Sequence, residues 1–410
     1  MSEDRDDRPP VIGVGTLNIS PRARALVNEV LDSNRLSYGP MTRRFEAGFA
    51  RAHGCRFGVM SNSGTSALLV ALAALKELHG WADGDEVILP AVTFAGTANI
   101  VFHARMRPVL VDVDPIHYEL DPEKIEAAVT SRTRALIPVH VFGQPCDMDP
   151  VLELARQYGL RVIEDSAETM FARYKGRSVG SLGEIGCFST YAAHLLTTGV
   201  GGLNTTDNPE YAEKLRSLIN HGRDSTYLNI DDDDRKSPEE LRRIVARRFS
   251  FVSLGYSFRL TEMEAALGLA QLEVGTEMIA RRRTNAAWLT GKLSGHEAFL
   301  QLPRIRPGCE HSFMMYPIVL RDRKKDALVD FLEQNRVETR EMLPLTNQPL
   351  YQRLMGIGEA DYPVAGWINT SGFYIGCHQD LSSTDLDRIV ELFDRFFKDG
   401  PTQEAGRRKT

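Results

Sequence analysis

Between about residues 60 and 270, short runs rich in valine and isoleucine alternate with amphipathic helical stretches, and this alternation constrains the fold more than any other feature. GDEVILP, RPVLVDVD, RALIPVHV and RVIED each have the length and β-branched content of a strand. Between the last two, MDPVLELARQYG carries apolar residues at helical spacing and ends in glycine, which reads as a helix with its C-terminal stop. Strands separated by helices cannot pair as hairpins, so they imply a mostly parallel sheet with helices on both faces. From about residue 310 the style changes: HSFMMYPIVL and GFYIGCH read as strands, and KKDALVDFLEQN and STDLDRIVELFDRFF as helices. An α/β chain in two parts is expected, with a large domain over 11–295 and a small C-terminal α+β domain over 296–400. A linking helix is expected near 262–295, and polar tails at 1–10 and 401–410. The acidic run in NIDDDDRKSPEE reads as a solvated loop.

Composition narrows the function. With 410 residues, 42% of them hydrophobic and 25% charged, the chain exceeds a single binding module and can bury sizeable cores. A net charge of −6 argues against a dedicated nucleic-acid binder. The longest apolar run, residues 67–75, is far short of the roughly 20 residues that span a bilayer. MSEDRDDRPP is too acidic and polar for a secretion signal. Five widely separated cysteines form no zinc ribbon or CxxC motif and suit no disulfide framework. Together these features predict a cytoplasmic enzyme with neither a membrane nor a nucleic-acid partner.

Four segments could carry chemistry. Ser63-Gly64-Thr65 opens the helix TSALLVALAALKEL, where free N–H groups suit an anion, although an ordinary helix cap explains these residues alone more simply. Asp165 closes RVIED at the carboxyl end of a strand, where ligands of open α/β sheets bind; a helix cap or surface carboxylate is the plain alternative. GCFSTYAAHLLTTGVGG leads from small and hydroxyl residues to a glycine-rich turn, with Tyr191 and His194 three residues apart. An isolated histidine is usually structural. Phe94, after EVILP in PAVTF, could stack on a flat ring or sit in a core.

In order along the chain stand GTSAL, PAVTFAGTAN, VDVD, PVHVFGQPCDMD, VIEDSAE, GCFSTYAAHLLTTGVGG and GYSFRLTEMEAALGLAQLE. This series, over about residues 20–398, resembles the DegT/DnrJ/EryC1/StrS family of pyridoxal-phosphate enzymes that act on nucleotide-linked keto sugars. The resemblance implies the aspartate-aminotransferase-like fold and a homodimer. It places Asp165 against the pyridinium nitrogen, Gly64, Thr65 and Ser189 around the phosphate, and Phe94 on the ring. It also carries the loop GYSFR, with Ser257 where the family usually has asparagine, to the cofactor phosphate of a neighbouring subunit.

His194 departs from the aminotransferases of that family, which carry there the lysine that binds the cofactor covalently. None of the ten lysines lies between Lys175 and Lys214, and Lys175 falls where the family has a tight turn. Histidine at this position resembles the branch that removes the C3 hydroxyl from 4-keto-6-deoxy sugars. Glu168, where aminotransferases usually have glutamine, Tyr191, and the stretch VETREMLPLTNQPLYQRL are similar to that branch. The resemblance therefore implies a pyridoxal- or pyridoxamine-phosphate-dependent 3-dehydratase of a nucleotide-linked keto sugar, in deoxysugar synthesis for lipopolysaccharide or a natural-product glycan. His194 would be the general base and then acid, and Glu168 would set the protonation of the ring hydroxyl. Some members of the branch hold an iron–sulfur cluster; these dispersed cysteines predict none. The alternatives are an aminotransferase using glutamate as amino donor and a catalytically silent member of the family.

Overall fold

The computed structural model describes residues 9–228 and 231–399, so the expected tails lie outside the described residues apart from Pro9 and Pro10. Seven strands form the larger sheet: β1 (Phe57–Ser61), β2 (Glu86–Pro90), β3 (Arg107–Val111), β4 (Thr133–Leu136), β5 (Arg161–Asp165), β6 (Ile185–Ser189) and β7 (Gly202–Thr206). Their order is β1-β7-β6-β5-β4-β2-β3. All neighbours from β6 to β3 pair in parallel, whereas β7 runs antiparallel to both β1 and β6.

The four expected strands form, but the strand Thr133–Leu136 takes in only the first three residues of RALIPVHV. Pro138 has no N–H to give to a ladder. Its carbonyl accepts from the Asp165 N–H at 3.0 Å, and after a single bridge between Val139 and Asp165 the chain turns at Val141–Gly143.

The long apolar run belongs to the helix Gly64–Leu78, which is buried on nearly every side between β6, β7 and the helices Ala95–His103 and Pro209–Ile219. Burial on all faces, rather than a bilayer, explains its composition. Among the described residues no helix is long and apolar enough to cross a membrane.

A second, fully antiparallel sheet orders Leu300–Gln301, Tyr316–Leu320, Gly372–Ile375 and Thr339–Glu341. The helices Asp326–Gln334 and Ser383–Asp399 pack on it through Leu328, Leu332, Ile389 and Phe393. Ile12 joins this core through a parallel bridge to Val337. The single linking helix expected near 262–295 is two helices, Glu262–Leu272 and Gly275–Leu293, interrupted at Val274 (φ −112°, ψ 5°). The acidic run also differs from a merely solvated loop, because arginines face it: Asp231 pairs with Arg35 at 2.7 Å and with Arg43, and Asp233 pairs with Arg248 at 2.8 Å.

Candidate active site

The carboxyl ends of the parallel strands open on a cavity of about 510 Å³, closed from the other side by Met314, Arg340 and Tyr374. Gly64, Thr65, Phe94, Asp165, Glu168, Ser189, Tyr191 and His194 all line it. Ser257 does not; it is exposed on its own loop and accepts a hydrogen bond from Arg259 at 3.1 Å.

At the cavity's floor, the Asp165 carboxylate accepts from the Thr97 hydroxyl at 2.7 Å and from the Ala167 N–H at 3.1 Å. It is 3% exposed, and among the described residues no lysine or arginine pairs with it. Burial pushes its pKa up, and the two hydrogen bonds only partly restore it.

At one end, Ser63 caps the helix Gly64–Leu78 by accepting from the Ser66 N–H at 3.0 Å. The cap explanation thus holds for Ser63, while the Gly64 and Thr65 N–H groups keep no hydrogen-bond partner among the described residues. Unused N–H groups at a helix start favour an anion. Gly64 also permits a close approach: a Cβ there would lie 2.7 Å from the Ser189 Cβ, at the end of β6. Phe94, just before the helix Ala95–His103, is 61% exposed and presents its ring to the open cavity.

His194 and Glu168 face the same space with opposite tendencies. The His194 imidazole is half-buried, its Nδ1 is buried with no hydrogen-bond partner, and Tyr191 packs edge-on at 6.3 Å. Burial lowers its pKa to about 4, offset in part by the Ala167 backbone. Glu168 accepts from the Phe142 N–H at 2.9 Å, and burial, aided by the Asp165 charge, raises its pKa to about 7.

Among the described residues, no lysine lines the cavity. Lys175 sits exposed on the hairpin of Arg173–Tyr174 and Arg177–Ser178, paired with Asp149 at 2.5 Å. The sequence reading did not single out two residues that matter here. Thr97, one turn after Phe94 in PAVTFAGTAN, holds Asp165; Arg340, within VETREM, lines the cavity with its guanidinium paired to Glu338. One grouping of metal-ligand type occurs among the described residues, Asp114, His117 and Glu119. None of them lines the cavity, and Arg306 already contacts Glu119 at 2.9 Å.

The motif order, the sheet topology and this cavity all agree with a comparison of the whole chain against known families. The chain belongs to the DegT/DnrJ/EryC1/StrS aminotransferase family. The match runs over residues 18–394. GDP-perosamine synthase of Caulobacter vibrioides is 34% identical over 391 residues, covering 94% of this chain and 98% of that protein. A spore coat polysaccharide biosynthesis protein of Bacillus subtilis is 35% identical over 376 residues, covering 89% and 92%. Among solved structures, GDP-4-keto-6-deoxy-D-mannose-3-dehydratase of E. coli with bound hydrated pyridoxal phosphate superposes with a TM-score of 0.84. It is 25% identical, with 94% of this chain and 100% of that one covered. An aminotransferase from Psychrobacter cryohalolentis gives 0.85 at 28% identity, covering 95% and 99%. The aminotransferase-like fold follows, as does an enzyme family that uses pyridoxal phosphate on sugars. Its relatives include both aminotransferases and dehydratases.

Proposed function

We propose that this chain is a dehydratase that removes the C3 hydroxyl of a nucleotide-linked 4-keto-6-deoxyhexose, using pyridoxal or pyridoxamine phosphate held without a covalent bond. His194 carries the proposal: it faces the cavity where an aminotransferase needs lysine, and among the described residues no lysine lines that cavity. The cavity suits the cofactor on grounds of its own. A buried Asp165 that no lysine or arginine pairs with among the described residues is satisfied by a pyridinium nitrogen, the Gly64 and Thr65 N–H groups by a phosphate, and the open Phe94 ring by a flat heterocycle.

When bound, the cofactor supplies an electron sink through which a C4′ proton and the C3 hydroxyl of an attached sugar can leave. With a pKa near 4, His194 is neutral at pH 7 and free to accept that proton. The burial that lowers its pKa makes its protonated form a ready acid, so it can return the proton to the departing C3 oxygen. Glu168, pushed to about 7, can hold a proton against the ring hydroxyl. Tyr191 stands at the mouth against the imidazole edge, and Arg340 gives an anionic part of the substrate a cation on the far wall. The exposed Ser257 loop is assigned to the phosphate end of a second copy's cavity, which makes the working unit a homodimer.

One observation favours a second reading, glutamate-dependent amino transfer: the 34% identity with a GDP-perosamine synthase over nearly its full length. Candidate 4-keto sugars incubated with pyridoxamine phosphate separate the two. A product lighter by one oxygen supports dehydration. An amino sugar, with a pyridoxyl-lysine peptide after borohydride, supports amino transfer. Tight cofactor binding with neither product points to a silent member of the family.

A further inference from the structure

The loop that carries His194 is held at two places, and one of them is a side chain far along the sequence. At its base, the Thr198 N–H donates to the Thr190 carbonyl at 2.9 Å, the two threonine hydroxyls meet at 2.6 Å, and the Thr190 N–H donates to the Gly201 carbonyl at 2.9 Å. On its outer side, the Thr197 N–H donates to Gln271 Oε1 at 2.9 Å, and the Gln271 amide nitrogen donates back to the Thr197 carbonyl. That pair of bonds copies one rung of a β-ladder with a side chain.

Gln271 is mounted on a rigid support. It sits in the last turn of the helix Glu262–Leu272, whose start is fixed by a capping box between Thr261 and Glu264. Glu262 is 2% exposed and accepts from the Gly39, Met41 and Thr42 N–H groups at 2.7, 2.8 and 2.9 Å, which locks this helix to the helix Pro40–Ala52. Gly268 lets the Phe45 ring pack where a Cβ would otherwise lie, 2.5 Å from the ring edge. Leu195 and Leu196 also anchor the loop in the core, but apolar packing has no direction and does not by itself set a backbone register.

We propose that Gln271 is a positioning residue for His194: its amide clamps the Thr197 backbone and thereby sets where the imidazole stands in the cavity. The proposal rests on the dehydratase function above for its catalytic meaning, but not for its structural content. Asp165, Glu168, Tyr191, Tyr374 and Arg340, the other titratable or charged groups lining the cavity, share no hydrogen bond with Gln271 among the described residues. A change at Gln271 therefore reaches the site through the loop.

The test uses the full chain without cofactor, as Gln271→Met and, should that variant fold poorly, Gln271→Glu. Glutamate keeps an acceptor for the Thr197 N–H and loses the donor for its carbonyl. In hydrogen-exchange mass spectrometry, amides of residues 190–198 should exchange on the order of ten to a hundred times faster, as expected for losing two hydrogen bonds. The peptide covering β5 should stay unchanged. In NMR titration of His194, the midpoint should move from about 4 toward the ordinary histidine value as water reaches the ring. With cofactor added, pyridoxamine-phosphate affinity should hold within about threefold while C4′ hydrogen exchange falls at least about tenfold at unchanged KM. Unchanged loop exchange with an unchanged titration overturns the proposal. So does faster exchange spread evenly over the chain, which marks a merely structural residue. Absence of any dehydration by the wild-type protein instead defeats the dehydratase assignment, and leaves the clamp to be judged by exchange and titration.

Discussion

His194→Asn separates proton transfer from binding, because the groups assigned to the cofactor stand on other elements. Asp165 ends β5, Ser189 ends β6, Gly64 and Thr65 start a helix after β1, and Phe94 follows β2. Asparagine should therefore leave pyridoxamine-phosphate affinity within about threefold. Removing a general base costs on the order of 10² to 10⁴ in rate, or about 3 to 5 kcal/mol of barrier. The assay is loss of deuterium from the C4′ carbon into water, followed by mass spectrometry beside dehydration of a 4-keto sugar. A second reading needs no substrate. Folding lowers the His194 pKa from 6.5 to about 4, so the unfolded chain binds the proton more readily. The stability from that difference is fully present above pH 6.5 and is lost as pH falls through 4, about 3 kcal/mol in all. The variant lacks this loss, so the wild-type minus variant difference in unfolding free energy should grow between pH 4 and 6.5. Wild-type-like C4′ exchange in the variant would remove the histidine from the mechanism.

Three further outcomes follow from the same geometry. Glu168 runs the opposite way: its pKa is raised from 4.5 to about 7, so its stabilising protonation is present below pH 4.5 and lost as pH rises through 7. Because His194 gains stability over much of the same pH range, the reading is the wild-type minus Glu168→Gln difference in urea-unfolding free energy of the cofactor-free protein. That difference should shrink by about 3 kcal/mol as pH rises from 4.5 to 7; a difference constant with pH would place the titration elsewhere. Thr97→Val deletes the 2.7 Å hydrogen bond to the Asp165 carboxylate, and a bond to a charged group is worth about 1.5–3 kcal/mol. Cofactor affinity by fluorescence titration should drop roughly ten- to a hundredfold, and Asp165→Asn should drop it further along with turnover. Gly64→Ala puts a methyl 2.7 Å from the Ser189 Cβ, so inorganic phosphate should protect the variant from thermal unfolding less than it protects the wild type.

How far the sequence reveals this molecule depends on whether an element's character is local. β2, β3 and β5 are legible because each is a run of valine, isoleucine and leucine, and each is buried almost throughout. β7 is not legible. GLNTT has one large apolar residue, yet every position is buried between β1 and β6. Its polar groups are satisfied there by distant partners: Asn204 donates to the Ala67 carbonyl at 2.9 Å and Thr205 to the Gly180 carbonyl at 2.7 Å. Tertiary context of that kind overrides propensity. The same division holds at the site. Asp165 and the segment holding Ser189, Tyr191 and His194 are marked locally, by a strand end and a glycine-rich turn, while the roles given to Ser189 and His194 come only from the family resemblance. Thr97 and Arg340 matter only through what they face, across 68 residues in the case of Thr97 and Asp165. Gln271 meets Thr197 across 74 residues, and its surroundings in GLAQLE read as ordinary helix.

One physical cause, burial, shifts both groups of the proposed acid–base pair. Desolvation disfavours charge, so it drives the histidine down to about 4 and the glutamate up to about 7. Groups pushed apart in this way are the ones that can take opposite roles in proton transfer. A lysine amine at position 194 would meet the same desolvation, which favours its neutral form, and that form can both bind a carbonyl covalently and move protons. On the proposed function, histidine keeps the neutral base and gives up the covalent bond. On that reading, histidine at this position deletes one of the two functions a lysine would serve there and leaves the other intact. His194→Lys tests this division: it should restore borohydride-trapped cofactor on the chain while Asp165, Gly64 and Thr65 go on binding the rest of it. A lysine variant that binds cofactor yet traps none would show that the loop aims position 194 away from the C4′ carbon, and proton transfer by His194 would fall with it.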